Sequence, residues 1–206
     1  MTVMIIDNFL PLPRVVRHWA ASQKYYNAKE YTEMYNKHTD WPGKRTLHVT
    51  DLDPEYANFT LNKVASIVNR CYDVYNLSIK SYFQLTIEDD GDSWVHQDND
   101  TDIAGILYLN PNPPENSGTT LYHCNDVNSW QAYMATQEGY NTLKTINRID
   151  NETLYKELFQ PIDVISNVFN RLILYPGTAY HKSNDYFGKD ITDGRLTQVF
   201  FVKNNV

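Results

Sequence analysis

Between Pro54 and about Tyr75 the apolar residues Leu61, Val64, Val68, Cys71 and Tyr75 recur every three or four positions. That spacing lines one face of an α-helix. A single apolar stripe has to be covered, most simply by a sheet, and the stripe makes Cys71 a buried small hydrophobe. Upstream, residues 3–10 read as an opening strand, halted by Pro11 and Pro13. Residues 14–24 predict a shorter helix with Val15, Val16, Trp19 and Ala20 on one side. Residues 36–54 read as loop, ending in Asp51-Leu52-Asp53-Pro54, a turn suited to starting the long helix.

From residue 79 the pattern changes to short extended runs separated by turns. Strands are expected at 81–87, 94–98, 103–109, 118–122, 162–165, 171–175, around His181 and at 196–202. Asp89-Asp90-Gly91-Asp92 and Asn110-Pro111-Asn112-Pro113-Pro114 are the clearest turns. Residues 123–160 are polar and interrupt the rhythm, with a short helix expected at 152–159 after Asp150 or Asn151 as N-cap. Helices first and then about eight strands argue an α+β fold, the strands closing into a two-sheet jelly roll. We read residues 1–206 as one domain. Its N-terminal strand and supporting helices occupy 1–78, and the jelly-roll core 79–202 carries an insertion at about 123–160.

Composition narrows the function. A net charge of −7 supplies no global field for nucleic acid or an anionic membrane. Sixteen Tyr, eight Phe and four Trp favour strands where other signals are silent. Cys71 and Cys124 are the only cysteines, which excludes a disulfide scaffold, and His123-Cys124 lacks the second pair of a zinc site. The first ten residues carry no basic n-region, and their apolar run is too short for a signal peptide or membrane span. The expected setting is the cytoplasm, with oligomeric state left open.

The chemistry concentrates in His96-Gln97-Asp98, His181 and Arg195. Alternate residues of a strand share a face, so His96 and Asp98 aim into one space and Gln97 turns away. A second imidazole from His181 completes a two-histidine, one-carboxylate set, which suits ferrous iron with open positions. Arg195, on the next strand, is a cation able to hold a dicarboxylate. The bland alternative makes His96 a turn cap, Asp98 one loop carboxylate among several and His181 a surface residue. His18, His38, His48 and His123 read as structural.

The order of these residues, with Tyr108-Leu109-Asn110, the run from Asn170 to Gly177, and Gly194-Arg195-Leu196-Thr197-Gln198-Val199-Phe200-Phe201, resembles the iron(II)/2-oxoglutarate-dependent oxygenases. The likeness is to the prolyl-hydroxylase-like branch and its phage-encoded relatives. It spans about residues 80–202, and Asp7-Asn8-Phe9-Leu10-Pro11 is similar to how such chains begin. The resemblance implies a double-stranded β-helix, cupin-like, with the N-terminal helices on its major sheet. It implies His96, Asp98 and His181 as catalytic iron ligands. Arg195 would pair with the far carboxylate of 2-oxoglutarate, with Thr197 and Tyr108 beside that cosubstrate. It further implies dioxygen as co-reactant and ascorbate as an accessory reductant.

The products implied are succinate, carbon dioxide and a hydroxylated substrate, either a peptide side chain of the prolyl type or a small metabolite. Halogenating relatives replace the carboxylate ligand, so Asp98 favours hydroxylation. A phage origin would put the protein in the host cytoplasm. Two departures concern the cosubstrate: Tyr82 is out of step with the tyrosine that relatives place before the His-x-Asp, and a double glycine is reduced to Ser117-Gly118. Trp41-Pro42-Gly43-Lys44-Arg45-Thr46 resembles a segment of the phage relatives, which makes Arg45 a candidate to reach a substrate, but a solvated loop arginine is the preferred reading. Residues 123–160 offer Trp130, Tyr133, Tyr140, Lys144 and Arg148 to cover a substrate or, equally, to form a surface excursion or a dimer contact. The competing class is a jelly-roll protein that binds metal or ligand without turnover.

Overall fold

Helix α4 (Pro54–Tyr72) forms where the stripe predicts it, and Asp53 Oδ1 caps it by accepting from the Glu55 and Tyr56 amides at 2.9 and 3.0 Å. The computed structural model describes residues 2–36, 41–72, 75–91, 93–98, 100–134 and 157–205. The buried face of α4 carries Ala57, Thr60, Val64 and Val68. Continuing that stripe by one turn reaches Tyr72, which packs against the core and donates to Thr2 O at 3.0 Å. Cys71 lies one position round the helix and is exposed, so the expectation that it is buried is corrected. Tyr75 lies beyond the helix and is likewise exposed.

Helix α1 (Pro13–Ala21) buries Ala20, while Trp19 meets Tyr56 and Phe83 edge-on, with centroids 5.0 and 5.3 Å apart. Val15, expected on that face, is exposed. Asn27 and Glu30 form a reciprocal capping box that starts α2 (Ala28–Tyr35). The stretch read as loop contains β3 (Lys44–Arg45) and α3 (Val49–Leu52).

The strands make two antiparallel sheets. The larger contains β1 (Met4–Ile6), β8 (Leu172–Pro176), β5 (Ile103–Tyr108), β10 (Arg195–Asn204), β4 (Leu77–Thr86), β3 and β2 (Tyr26–Asn27), in that order. The smaller places β6 (Thr119–Cys124) between β7 (Phe159–Ile165) and β9 (Tyr180–Ser183). Alternation sorts the faces of the larger sheet. Leu107, Leu172, Leu174, Leu196 and Phe200 point outward and pack with Val64, Val68 and Ala20 of the helices. Ala104, Ile106, Tyr108, Ile173 and Tyr175 point inward and meet Leu121 and Ile165 of the smaller sheet. The fold is α+β, a jelly roll with its N-terminal helices on the major sheet.

Gly118 enters β6 so close to β7 that an added Cβ would sit 1.9 Å from Ile165 O, so only glycine fits there. At the other sheet, Asn170 adopts φ 65°, a conformation asparagine tolerates. Its side chain accepts from Leu10 N at 2.7 Å and donates to Leu10 O at 2.9 Å, tying the N-terminal segment to the roll. Asn170→Ala removes both buried bonds and leaves a left-handed residue with a Cβ; a loss of about 2–4 kcal/mol is expected, read from the urea midpoint at unchanged slope.

Strands β6 and β7 are neighbours, with Cys124 opposite Phe159, so the insertion is their connection. Its first part is α5 (Val127–Met134), and Phe159 opens a strand instead of ending a helix. The side chain of Tyr133, and Tyr140, Lys144, Arg148 and residues 150–156, lie outside the described residues. Among the described residues no helix is long and apolar enough to cross a membrane.

Candidate metal centre

His96 and His181 stand opposite one another on an isolated antiparallel bridge, exchanging backbone hydrogen bonds of 3.0 and 2.9 Å. Asp98 N then donates to Gly177 O at 2.9 Å, holding this segment against the turn between β8 and β9. Opposed residues put their side chains on the same face. The two imidazole centroids are accordingly 4.3 Å apart. Asp98 completes the group, with Oδ1 3.9 Å from His96 Nε2 and Oδ2 3.5 Å from His181 Nε2. The three ligand atoms lie within 4.8 Å of one another, the one such cluster of His, Cys, Asp or Glu among the described residues.

The tautomers follow from the carbonyls behind the rings. His96 Nδ1 lies 2.9 Å from Trp94 O, and His181 Nδ1 lies 2.9 Å from Ala179 O. A carbonyl only accepts, so each Nδ1 carries the proton and each Nε2 keeps its lone pair. Both lone pairs converge on the Asp98 side, at separations too long for ordinary hydrogen bonds to it. Burial, reinforced by the neighbouring His96, lowers the His181 pKa to about 4, against a smaller opposing pull from Asp98. The imidazole is therefore neutral at pH 7. Two imidazole nitrogens and one carboxylate, each ring oriented by a backbone acceptor, fit a divalent transition metal.

That shift has a measurable cost in the metal-free protein. Between pH about 4 and the ordinary histidine value near 6.5, unfolded chains take up a proton at His181 that folded chains do not. Stability consequently rises with pH across this window and is lost as pH falls through it, by up to roughly 3 kcal/mol from this one group. Urea titrations of chelator-treated protein from pH 7 to pH 4 are expected to show this slope, and His181→Ala to flatten it.

Arg195 enters the same cavity from the start of β10 and is buried. Its Nε donates to Ser117 O at 3.1 Å, whereas Nη2 is buried with no partner among the described residues. An unpaired buried guanidinium nitrogen is costly, and the cavity is the side from which an anion can satisfy it. Tyr108 supports it from behind, its ring 5.7 Å from the guanidinium carbon and its hydroxyl donating to Thr119 Oγ1 at 2.8 Å. Thr197 shares the inner face but is fully buried, with its hydroxyl 3.5 Å from Gln84 O. Neither Tyr108 nor Thr197 is among the residues that line the cavity.

The cavity holds about 720 Å³, within the range of small-molecule sites and larger than one five-carbon diacid requires. Sequence reading missed Tyr175, which lines it with its ring 4.8 Å from His181. Strand parity with Ile173 carried the signal, since both point inward. Burial, then the charge of Asp98, hold the Tyr175 phenol well above its usual pKa, so it remains a donor. Arg45 is also placed differently from the solvated loop residue expected. It lies on β3, and its side chain faces the cavity. Burial pushes its pKa down to about 10, partly offset by Asp98, and it stays cationic at pH 7. Tyr82 instead joins an aromatic group with Tyr31, His48 and Phe201.

The remaining histidines carry no such arrangement. His18 and His123 are exposed, His48 caps α3 by accepting from Thr50 N at 3.1 Å, and His38 lies outside the described residues. Cys124 is buried and free.

Solved structures that share this fold include prolyl hydroxylases and a member of the 2OG-Fe(II) oxygenase family. The chain is similar to a Pseudomonas putida prolyl-4-hydroxylase at TM-score 0.56 and 14% identity, over 99% of this chain and 93% of that one. A Trichoplax adhaerens prolyl hydroxylase, solved with a hypoxia inducible factor oxygen degradation domain peptide fragment, gives TM-score 0.56 and 16% identity over 98% and 83%. HygX from Streptomyces hygroscopicus, solved with nickel and 2-oxoglutarate bound, gives 0.59 and 13% over 98% and 83%. At these identities the likeness establishes the fold. No curated protein matches the sequence significantly. Residues 1–202 match the family described as "Family of unknown function (DUF6445)", and the chain belongs to it.

Proposed function

We propose that this protein is an iron(II)- and 2-oxoglutarate-dependent dioxygenase that hydroxylates a peptide side chain of the prolyl type or a small metabolite. The observation that carries the reading is the convergence in one cavity of the His96 and His181 Nε2 lone pairs, the Asp98 carboxylate and the unpartnered Nη2 of Arg195. Iron and 2-oxoglutarate, when bound, supply dioxygen activation coupled to release of succinate and carbon dioxide.

The chain's own residues do the rest. His96, Asp98 and His181 hold the metal on one face, with the rings fixed by Trp94 O and Ala179 O. Arg195 takes the distal carboxylate of the diacid, which supplies the acceptor its Nη2 lacks. Tyr108 and Ser117 fix the guanidinium from behind, so the diacid meets a preset fork. Tyr175 borders His181 and keeps its phenol proton, so it would donate to an acceptor held beside the triad. Trp130 and Gln131 of α5 also line the cavity, which puts the start of the insertion within reach of a substrate. The peptide in the Trichoplax relative and the metal and 2-oxoglutarate in HygX agree with this assignment.

The test is succinate formation from 2-oxoglutarate by purified protein with added ferrous iron and ascorbate in air. Iron-dependent succinate is expected even without substrate, through slow uncoupled turnover, and a carboxylate pool that stays intact would leave a metal-binding jelly roll without turnover.

A further inference from the structure

Two strands from Arg195 on the same sheet, the cavity wall carries a second cation, Arg45, which is neither a ligand of the metal nor the anchor proposed for the cosubstrate. Arg45 lies between two rings, its guanidinium carbon 4.6 Å from the Trp41 centroid and 5.2 Å from that of Phe201. Its Nε donates to Gln84 Oε1 at 3.0 Å, and Gln84 Nε2 is itself anchored on Pro42 O at 3.2 Å. The two rings and the amide fix the guanidinium plane. Among the described residues no other hydrogen bond and no carboxylate pairs with it, and it is only half-buried, its open side facing the cavity. Trp41, Arg45, Gln84 and Phe201 share the cavity wall with His96, Asp98 and His181.

A cation held this way, flanked by two rings and with no carboxylate paired to it among the described residues, is a site for an anion. Asp98 is the carboxylate whose charge reaches Arg45, and a metal at the triad would claim that charge. Arg195 is occupied by the distal carboxylate on the reading above. Of the two arginines that line the cavity among the described residues, Arg45 is then the one left for a substrate.

Resting on that reading, we propose that Arg45 is a substrate-binding residue that takes a carboxylate of the substrate, with Trp41 and Phe201 flanking the group that bears it. The oxidised molecule is thus an organic acid, an amino acid or a peptide that presents a free carboxylate. A carboxylate is favoured over a phosphoryl group because one guanidinium neutralises one charge and forks onto two oxygens. A phosphate dianion would leave a charge unpaired against Trp41 and Phe201.

The experiment is calorimetric titration of the full chain with zinc in place of iron and 2-oxoglutarate at saturation, so that nothing turns over. The probes are benzoate, its neutral isostere benzamide, and inorganic phosphate. Benzoate is expected to bind saturably and at least tenfold more tightly than benzamide or phosphate, and raising 2-oxoglutarate should not displace it. Arg45→Gln should bring benzoate down to the benzamide level, and Arg45→Lys, which keeps charge but loses the fork, should fall between. Equal binding of benzoate and benzamide by the wild-type protein, tighter phosphate, displacement by 2-oxoglutarate, or undiminished benzoate binding by Arg45→Gln would each overturn the proposal. Metal-dependent binding of 2-oxoglutarate is measured in the same cell, so a failure of the cosubstrate reading shows separately from a failure at Arg45.

Discussion

His181→Ala is expected to remove iron-dependent succinate formation and leave the fold in place. The side chain supplies one of three donors and makes no hydrogen bond that the sheet needs: the bridge to His96 runs through backbone atoms, and its Nδ1 bond is to Ala179 O two residues away. Partners that merely orient a metal ligand are worth about 10–100-fold in affinity or activity, so loss of a ligand should exceed that. The variant should also be no less stable than wild type below pH 6, because the imidazole it removes resists protonation when folded. Succinate quantification with thermal or urea unfolding at two pH values checks both halves. Undiminished turnover would move the metal elsewhere.

Arg195→Ala is expected to raise the apparent constant for 2-oxoglutarate about tenfold to a hundredfold, the equivalent of roughly 1.5–3 kcal/mol for a charge-assisted hydrogen bond. Arg195→Lys should recover only part of it, since an ammonium cannot make two parallel bonds to a carboxylate. Tyr108→Phe, which keeps the ring beside the guanidinium and loses the hydroxyl that donates to Thr119, should have a smaller effect. An unchanged constant in Arg195→Ala would place the distal carboxylate at another cation, of which Arg45 is the one on the same cavity wall as the triad.

The meeting of His96 and Asp98 was legible in outline, but the strand expected at 94–98 is reduced to a single bridge at His96, and backbone bonds to His181 and Gly177 position the pair. The late histidine and arginine were legible through the family resemblance. The helices on the major sheet were legible because a 3.6-residue stripe needs a cover. What escaped the sequence depends on contacts far apart in the chain. Arg45 reads as a loop residue because β3 is only two residues long and exists through its pairing with Leu85 and Gln84 of β4. Cys71 continues the stripe on paper, but the helix ends with Tyr72 turned inward against the first residues of the chain. Val15 is apolar yet exposed, because α1 rests on the sheet through Val16, Trp19 and Ala20. Tyr175 carried no role in the sequence, because its place beside the site depends on β9 bringing His181 alongside its ring.

The central claim is that one ferrous ion and one 2-oxoglutarate meet at this triad. Its most direct test is anaerobic titration of the iron-loaded protein with 2-oxoglutarate, followed by visible absorption for the charge-transfer band of an iron chelate. One iron should be retained per chain, the band should saturate at one equivalent of 2-oxoglutarate, and both should be lost in His181→Ala. Iron that dialyses away from the wild-type protein, or 2-oxoglutarate that binds without producing the band, would contradict it.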